Sequence, residues 1–234
     1  MNNYFQFKKF TIYQDQCAMK VTEIACIQGA WCELPEDAQT ILDIGCGTGL
    51  LSLMIAQKNK NVRIDAVEID LFSYNQAKHN IENSAFKHQI RCIHSDIKNH
   101  LPNDVYDFII CNPPFFEQQL KSLNKQKNTA WHSEQLTLKE LVTIIHSLLK
   151  PSGSFCILLP IHRMEELNTF CAALNFFPIK TLAIRHSTHH PVTHQVSIFS
   201  KKIQACHEAV LSIKEDGKYT DDFTQLLGAY YLKL

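Results

Sequence analysis

A chain of 234 residues with 45% hydrophobic content carries enough apolar side chains for one α/β domain with a substantial core. Lys plus Arg and Asp plus Glu balance at 23 each, so net charge gives no evidence for a nucleic-acid partner, and any such contact needs a local patch. No apolar run reaches the roughly twenty residues of a membrane span, residues 1–16 are too polar for a signal peptide, and nine scattered cysteines without a Cys-x-x-Cys pair argue against a disulfide framework and a zinc ribbon; the expectation is a soluble, cytoplasmic protein with reduced thiols.

In chain order, Ile41–Ile44 is a short apolar run ending in glycines, and Leu50–Ala56 continues at helical spacing, which reads as strand, glycine-rich turn and helix. Strand Val62–Ile69, helix Phe72–Asn83 and strands Ile90–Ile93 and Val105–Cys111 follow. Leu138–Leu149 is amphipathic and stops at Pro151 and Gly153; Ser154–Leu159 reads as a strand and Met164–Leu174 as a helix. Strands alternating with helices predict a parallel sheet with helices on both faces. The segments Ile179–Ile184 and Val192–Phe199 suit an antiparallel hairpin at its edge, joined by a His-rich loop, Arg185–His194. Two stretches, Met1–Gln39 and Ala205–Leu234, fall outside the alternation.

The first turn reads Asp43-Ile44-Gly45-Cys46-Gly47-Thr48-Gly49. Its glycines allow backbone to approach a ligand closely. The Gly-x-Gly-x-Gly spacing behind an acid differs from the dinucleotide pattern, and an acid suits a cation better than a pyrophosphate. Glu68, at the end of the second strand, can accept from both hydroxyls of a ribose, and Asp96, after the third, from an adenine amine. Any one of these acids alone is equally a helix cap or a surface charge. Together at consecutive strand ends they fit S-adenosylmethionine, whose amino-acid end carries an ammonium.

Asn112-Pro113-Pro114-Phe115 follows the fourth strand directly. Two prolines remove two backbone donors, so the loop offers acceptors, the Asn112 side-chain oxygen and the Pro113 carbonyl, to a group that donates. Phe115 supplies a face for a flat base. A proline turn closing a buried strand is the plain alternative; the acids and glycines upstream favour an amine site.

With glycine turn, Glu68, Asp96 and the Asn-Pro-Pro-Phe loop in order on alternating strands, residues 40–159 resemble class I S-adenosylmethionine-dependent methyltransferases acting on planar amines. The leader segments Phe7-Lys8-Lys9-Phe10-Thr11-Ile12, Gln14–Val21 and Gly29-Ala30-Trp31, with Tyr219-Thr220 to Phe223 and Tyr230–Leu234 at the other end, resemble the tRNA1(Val) adenine-37 N6-methyltransferase family. That resemblance implies a Rossmann-like α/β fold with a mostly parallel seven-stranded sheet, helices on both faces and an antiparallel edge hairpin. It implies one methyltransferase domain over 1–234, divided into a leader or cap (1–39), a catalytic core (40–200) and a C-terminal extension (201–234). The implied catalytic residues are Asn112, Pro113 and Phe115; the implied cofactor contacts are Asp43, Gly45, Gly47, Gly49, Glu68, Asp96 and Asn112. S-adenosylmethionine is the implied cofactor and a tRNA anticodon loop the implied partner, with no metal and no membrane; oligomeric state stays open.

The sequence departs from that family's pattern at Thr22-Glu23-Ile24, where an acid is expected at Ile24 and Glu23 stands one position away, and at Trp131 and Gln195, where arginines are expected. Lys121, Lys125 and Lys127, or Arg185 with His186, His189, His190 and His194, are the candidate replacements for RNA contact. Phe116 is a second candidate for stacking. The rival readings are methylation of a release-factor glutamine, of a ribosomal-RNA guanine, and a catalytically silent RNA-binding domain.

Overall fold

The computed structural model describes residues 2–17, 19–102, 105–113 and 136–234. A two-stranded antiparallel ribbon, β1 (Tyr4–Gln6) and β2 (Thr11–Tyr13), is followed by α1 (Glu23–Trp31). The alternation then runs β3 (Thr40–Ile44), α2 (Leu50–Lys58), β4 (Arg63–Glu68), α3 (Leu71–Glu82), β5 (Ile90–His94) and β6 (Tyr106–Cys111). After it come α4 (Leu138–Leu148), β7 (Leu149–Pro160), α5 (Met164–Ala173), the hairpin β8 (Phe177–Ser187) and β9 (Val192–Ser200), then β10 (His207–Glu215), β11 (Lys218–Tyr219) and α6 (Asp221–Leu227).

The large sheet has the order β11-β10-β8-β9-β7-β6-β3-β4-β5. Neighbours from β7 to β5 run parallel, while β9 is antiparallel to both β7 and β8. Seven strands, β8 through β5 in that order, form the expected Rossmann-like sheet with its antiparallel hairpin, but the hairpin is not at the edge. The tail continues it by two strands, β10 pairing parallel with β8 and β11 antiparallel with β10.

Successive side chains in a strand point to opposite faces, and β3 shows the consequence: Ile41 joins one apolar layer with α1, α2, α3 and α6, Leu42 the other with α4 and α5. Caps set where the helices begin. Thr22 accepts from the Ala25 N–H and Asp70 from the Ser73 N–H, while Thr137 and Glu140 form a reciprocal capping box ahead of α4.

Most element ends agree with the sequence reading to within a residue or two. Two differences stand out. β7 begins at Leu149 rather than at the expected Ser154, passing through Pro151 and Gly153 with an irregularity in its pairing with β6. The second is the hairpin. The expected His-rich loop is largely strand, because β8 runs on to Ser187 and β9 starts at Val192, leaving residues 188–191 as the turn. Backbone pairing carries both strands through these polar residues, Ile184 opposite His194 and Arg185 opposite Val192, with an irregularity between the two. The leader docks through α1 and an aromatic cluster in which Phe7 stacks on Phe10 and contacts Tyr231, with the Lys8 N–H donating to the Tyr230 carbonyl.

Candidate active site

Strand order reverses between β3 and β6, the point where an open α/β sheet leaves a crevice at the carboxyl ends of its strands. Register places Ile44 opposite Cys111, so the glycine turn after β3 and the Asn112 loop after β6 leave the sheet side by side. Gly45, Gly47 and Gly49 have φ of +68°, +54° and +81°, a region side chains disfavour. A Cβ built on Gly45 or Gly47 would meet nothing within 4 Å, so the turn presents bare backbone to open space.

Asp43 was expected to face a ligand; it is instead fully enclosed. Its Oδ2 accepts from the Ser52 hydroxyl at 2.7 Å and the Ser52 N–H at 3.2 Å, bracing the first turn of α2, while Oδ1 has no donor among the described residues. Burial pushes its pKa up to about 7; the Ser52 bonds oppose that shift and the Glu68 charge adds to it. What Asp43 offers a ligand is charge behind the glycine turn rather than an exposed edge.

Glu68 is also buried, and each oxygen already serves the backbone: Oε2 accepts from the Gly47 N–H at 2.8 Å, Oε1 from the N–H groups of Ile69 and Asp70 at 2.9 Å. The carboxylate thus ties the glycine turn to the end of β4 and keeps lone-pair capacity for a further donor. Ile69 beside it is 53% exposed, an apolar face at the site that the sequence reading missed, since apolar residues at strand ends are ordinary. Asp96 caps the short 3₁₀ turn Ile97–Asn99, accepting from the Lys98 N–H at 2.9 Å.

Asn112 is half-buried, with its Oδ1 enclosed and without a donor among the described residues. The carbonyl just before it, on Cys111, accepts from Gln28 Nε2 at 2.8 Å. Pro113 is half-buried beside it. Phe115 and Phe116, Lys121, Lys125 and Lys127, and Trp131 lie outside the described residues.

Leader and tail meet this region. Asn80 of α3, almost fully buried, accepts from the Tyr13 N–H and donates to the carbonyls of Tyr13 and Thr48, joining β2 to the glycine turn. Glu23 accepts from the Tyr219 hydroxyl at 2.8 Å, which commits it to the tail rather than to the glycine turn. Of the other candidates, Arg185 donates to the Ser212 hydroxyl of β10 and Gln195 to the Ser197 hydroxyl. His186 and His190 meet edge to face at 5.3 Å. No group of three or more His, Cys, Asp or Glu side chains converges as for a metal among the described residues, and no described helix is long and apolar enough to cross a membrane.

The donor set fits S-adenosylmethionine. Two enclosed acceptors at the ends of adjacent strands, Asp43 Oδ1 and Asn112 Oδ1, meet no donor among the described residues, and the glycine turn presents open space around Gly45 and Gly47. That cradle suits a cationic ligand with an amine-bearing partner.

The Methyltransferase small domain family matches residues 32–159. A Dyadobacter fermentans protein named tRNA1(Val) (adenine(37)-N6)-methyltransferase is 42% identical over 238 residues, covering 99% of this chain and 98% of its own. A protein of the same name from Flavobacterium psychrophilum is 34% identical, covering 98% and 100%. Among solved structures, a predicted O-methyltransferase of Agrobacterium tumefaciens superposes with TM-score 0.68 at 15% identity, covering 87% of this chain and 95% of that one. Pyrococcus horikoshii TYW2 in complex with MeSAdo gives 0.60 at 16%, covering 84% and 69%. These two support the class I fold alone.

Proposed function

The chain belongs to the tRNA1(Val) (adenine(37)-N6)-methyltransferase family, and from that premise we propose that it transfers a methyl group from S-adenosylmethionine to N6 of adenine-37 in tRNA1(Val). The observation that carries the reading is the enclosed Asn112 oxygen, which meets no donor among the described residues, set beside the glycine turn at the switch point of the sheet. A buried acceptor left unmet needs a donor from outside, and an exocyclic amine is such a donor.

When bound, S-adenosylmethionine supplies an activated methyl group on a sulfonium. The chain's own contribution is alignment, because a direct displacement needs geometry more than a strong base. Asn112 Oδ1 and the Pro113 carbonyl accept the two amine hydrogens. That holds the nitrogen pyramidal and points its lone pair at the methyl, an interaction that strengthens toward the transition state. The amine nitrogen held there would take the methyl of S-adenosylmethionine as the sulfonium becomes a thioether, and the surplus amine proton would leave to solvent.

Gly45, Gly47 and Gly49 let backbone approach the amino-acid end of the cofactor, with Asp43 supplying negative charge behind them. Glu68 accepts from the ribose, Ile69 covers one face of the cofactor's base and Asp96 accepts from its amine. Phe115 takes the stacking role against the substrate base. An anticodon-loop adenine must turn out of its stack to reach the site, at a cost of a few kcal/mol that stacking and amine contacts offset. On this reading the protein acts in the cytoplasm as a single methyltransferase domain.

Labelled methyl supplied on S-adenosylmethionine, with transcripts of tRNA1(Val) carrying A or G at position 37, tests the reading. Transfer to the A37 transcript and none to the G37 transcript is the expected result. Equal transfer to both, or transfer to a release factor in preference to RNA, would overturn it.

A further inference from the structure

We propose that Gln28 is a positioning residue for methyl transfer: its side-chain amide fixes the peptide plane that joins Cys111 to Asn112 and so aims the Asn112 oxygen at the substrate amine. This rests on the function proposed above.

Gln28 lies on the buried face of α1 and has no exposed surface. Its Nε2 donates to the Cys111 carbonyl at 2.8 Å and lies 3.9 Å from the Cys156 thiol on β7. Cys111 is the last residue of β6, in register with Ile44 on one side and Ile157 on the other. That carbonyl oxygen, its carbon and the Asn112 nitrogen belong to one rigid peptide plane. A donor gripping the oxygen therefore sets the direction in which Asn112 leaves the strand. Pro113 follows with φ fixed by its ring, so the segment carrying both proposed amine acceptors is held at each end.

Packing does not explain an amide here. Gln28 Oε1 is enclosed and has no donor among the described residues, so the side chain gives up hydration it does not fully recover. An apolar side chain of similar length would fill the space without that loss. What the amide adds is a hydrogen bond to the one carbonyl that precedes Asn112. A local rule broken beside a reactive loop marks a functional demand.

The test uses the full chain with Gln28→Leu and, should that variant fold poorly, Gln28→Met. Steady-state methylation of the tRNA1(Val) transcript is measured with each substrate varied, alongside thermal melting. The expected result is a kcat lower by about tenfold, KM for transcript and for S-adenosylmethionine within about twofold, and a melting temperature no lower than wild type. Retained kcat in both variants would overturn the proposal. So would a kcat loss that tracks a fall in melting temperature and a rise in KM for S-adenosylmethionine, because that pattern marks a purely structural role. Wild-type protein that methylates no transcript would overturn the functional reading and this proposal with it.

Discussion

Asp43, one residue from the end of β3, and Asn112, one residue past the end of the neighbouring β6, each enclose a side-chain oxygen that meets no donor among the described residues. An enclosed, unmet acceptor costs about 1–3 kcal/mol of stability. Two of them at the ends of adjacent strands at the switch point fit the proposed site, in which the donors come with the ligands. Removing the Asn112 acceptor should therefore damage chemistry more than cofactor binding. Asn112→Ala is expected to lower kcat by about 10²–10³-fold or more while calorimetry shows S-adenosylmethionine still bound; equal loss of both would mean the loop is structural.

The Asp43 carboxyl gives a pH signature. Its folded pKa, pushed up to about 7, lies above the usual 3.8, so burial favours the protonated form. Its contribution to stability is fully present below about pH 4 and is lost as pH rises through about 7. A cation held over the glycine turn favours the ionised form. Binding of S-adenosylmethionine near pH 7 should thus release a fraction of a proton from this group, measured by calorimetry in buffers of different ionisation enthalpy. Asp43→Asn should abolish the release, and a binding heat independent of buffer in the wild type would contradict the assignment.

Gly47 offers a test of the cradle. At φ +54° with nothing within 4 Å of a built Cβ, Gly47→Ala meets no clash in the unliganded protein. It should lose only about 1–2 kcal/mol of stability from the left-handed backbone. The new methyl enters the space assigned to the cofactor, so the dissociation constant for S-adenosylmethionine should rise by tenfold or more, about 1.4 kcal/mol. Unchanged affinity would place the cofactor elsewhere.

Asn80 ties the leader to the glycine turn through three hydrogen bonds. Asn80→Ala leaves the Tyr13 backbone and the Thr48 carbonyl unmet, a loss of about 2–4 kcal/mol. Limited proteolysis should then cut within residues 2–17 faster than in wild type. An unchanged cleavage rate would show that the aromatic contacts of Phe7 with Phe10 and Tyr231 hold the leader without it.

The alternating core was legible because glycine turns, strand-end acids and 3.6-residue periodicity are local signals, and β3 to β7 keep their order in the sheet with one reversal. Partners in space were not legible. Nothing local shows that Asp43 turns inward to Ser52, that Glu68 spends both oxygens on backbone, or that Glu23 is taken by Tyr219 from the far end of the chain. Gln28 escaped notice for the same reason: a polar residue flanked by apolar ones in a helix gains meaning only when the end of β6 accepts its hydrogen bond. The tail was readable as a resemblance, but its two added strands depend on the edge that β8 leaves open.

The central claim is N6-methylation of adenine-37, and mass spectrometry of nucleosides from purified valine tRNA of a deletion strain tests it most directly. The account predicts that N6-methyladenosine at position 37 is lost in that strain, returns with the wild-type gene and does not return with Asn112→Ala. Persistence of that nucleoside, unchanged, in the valine tRNA of the deletion strain would contradict it.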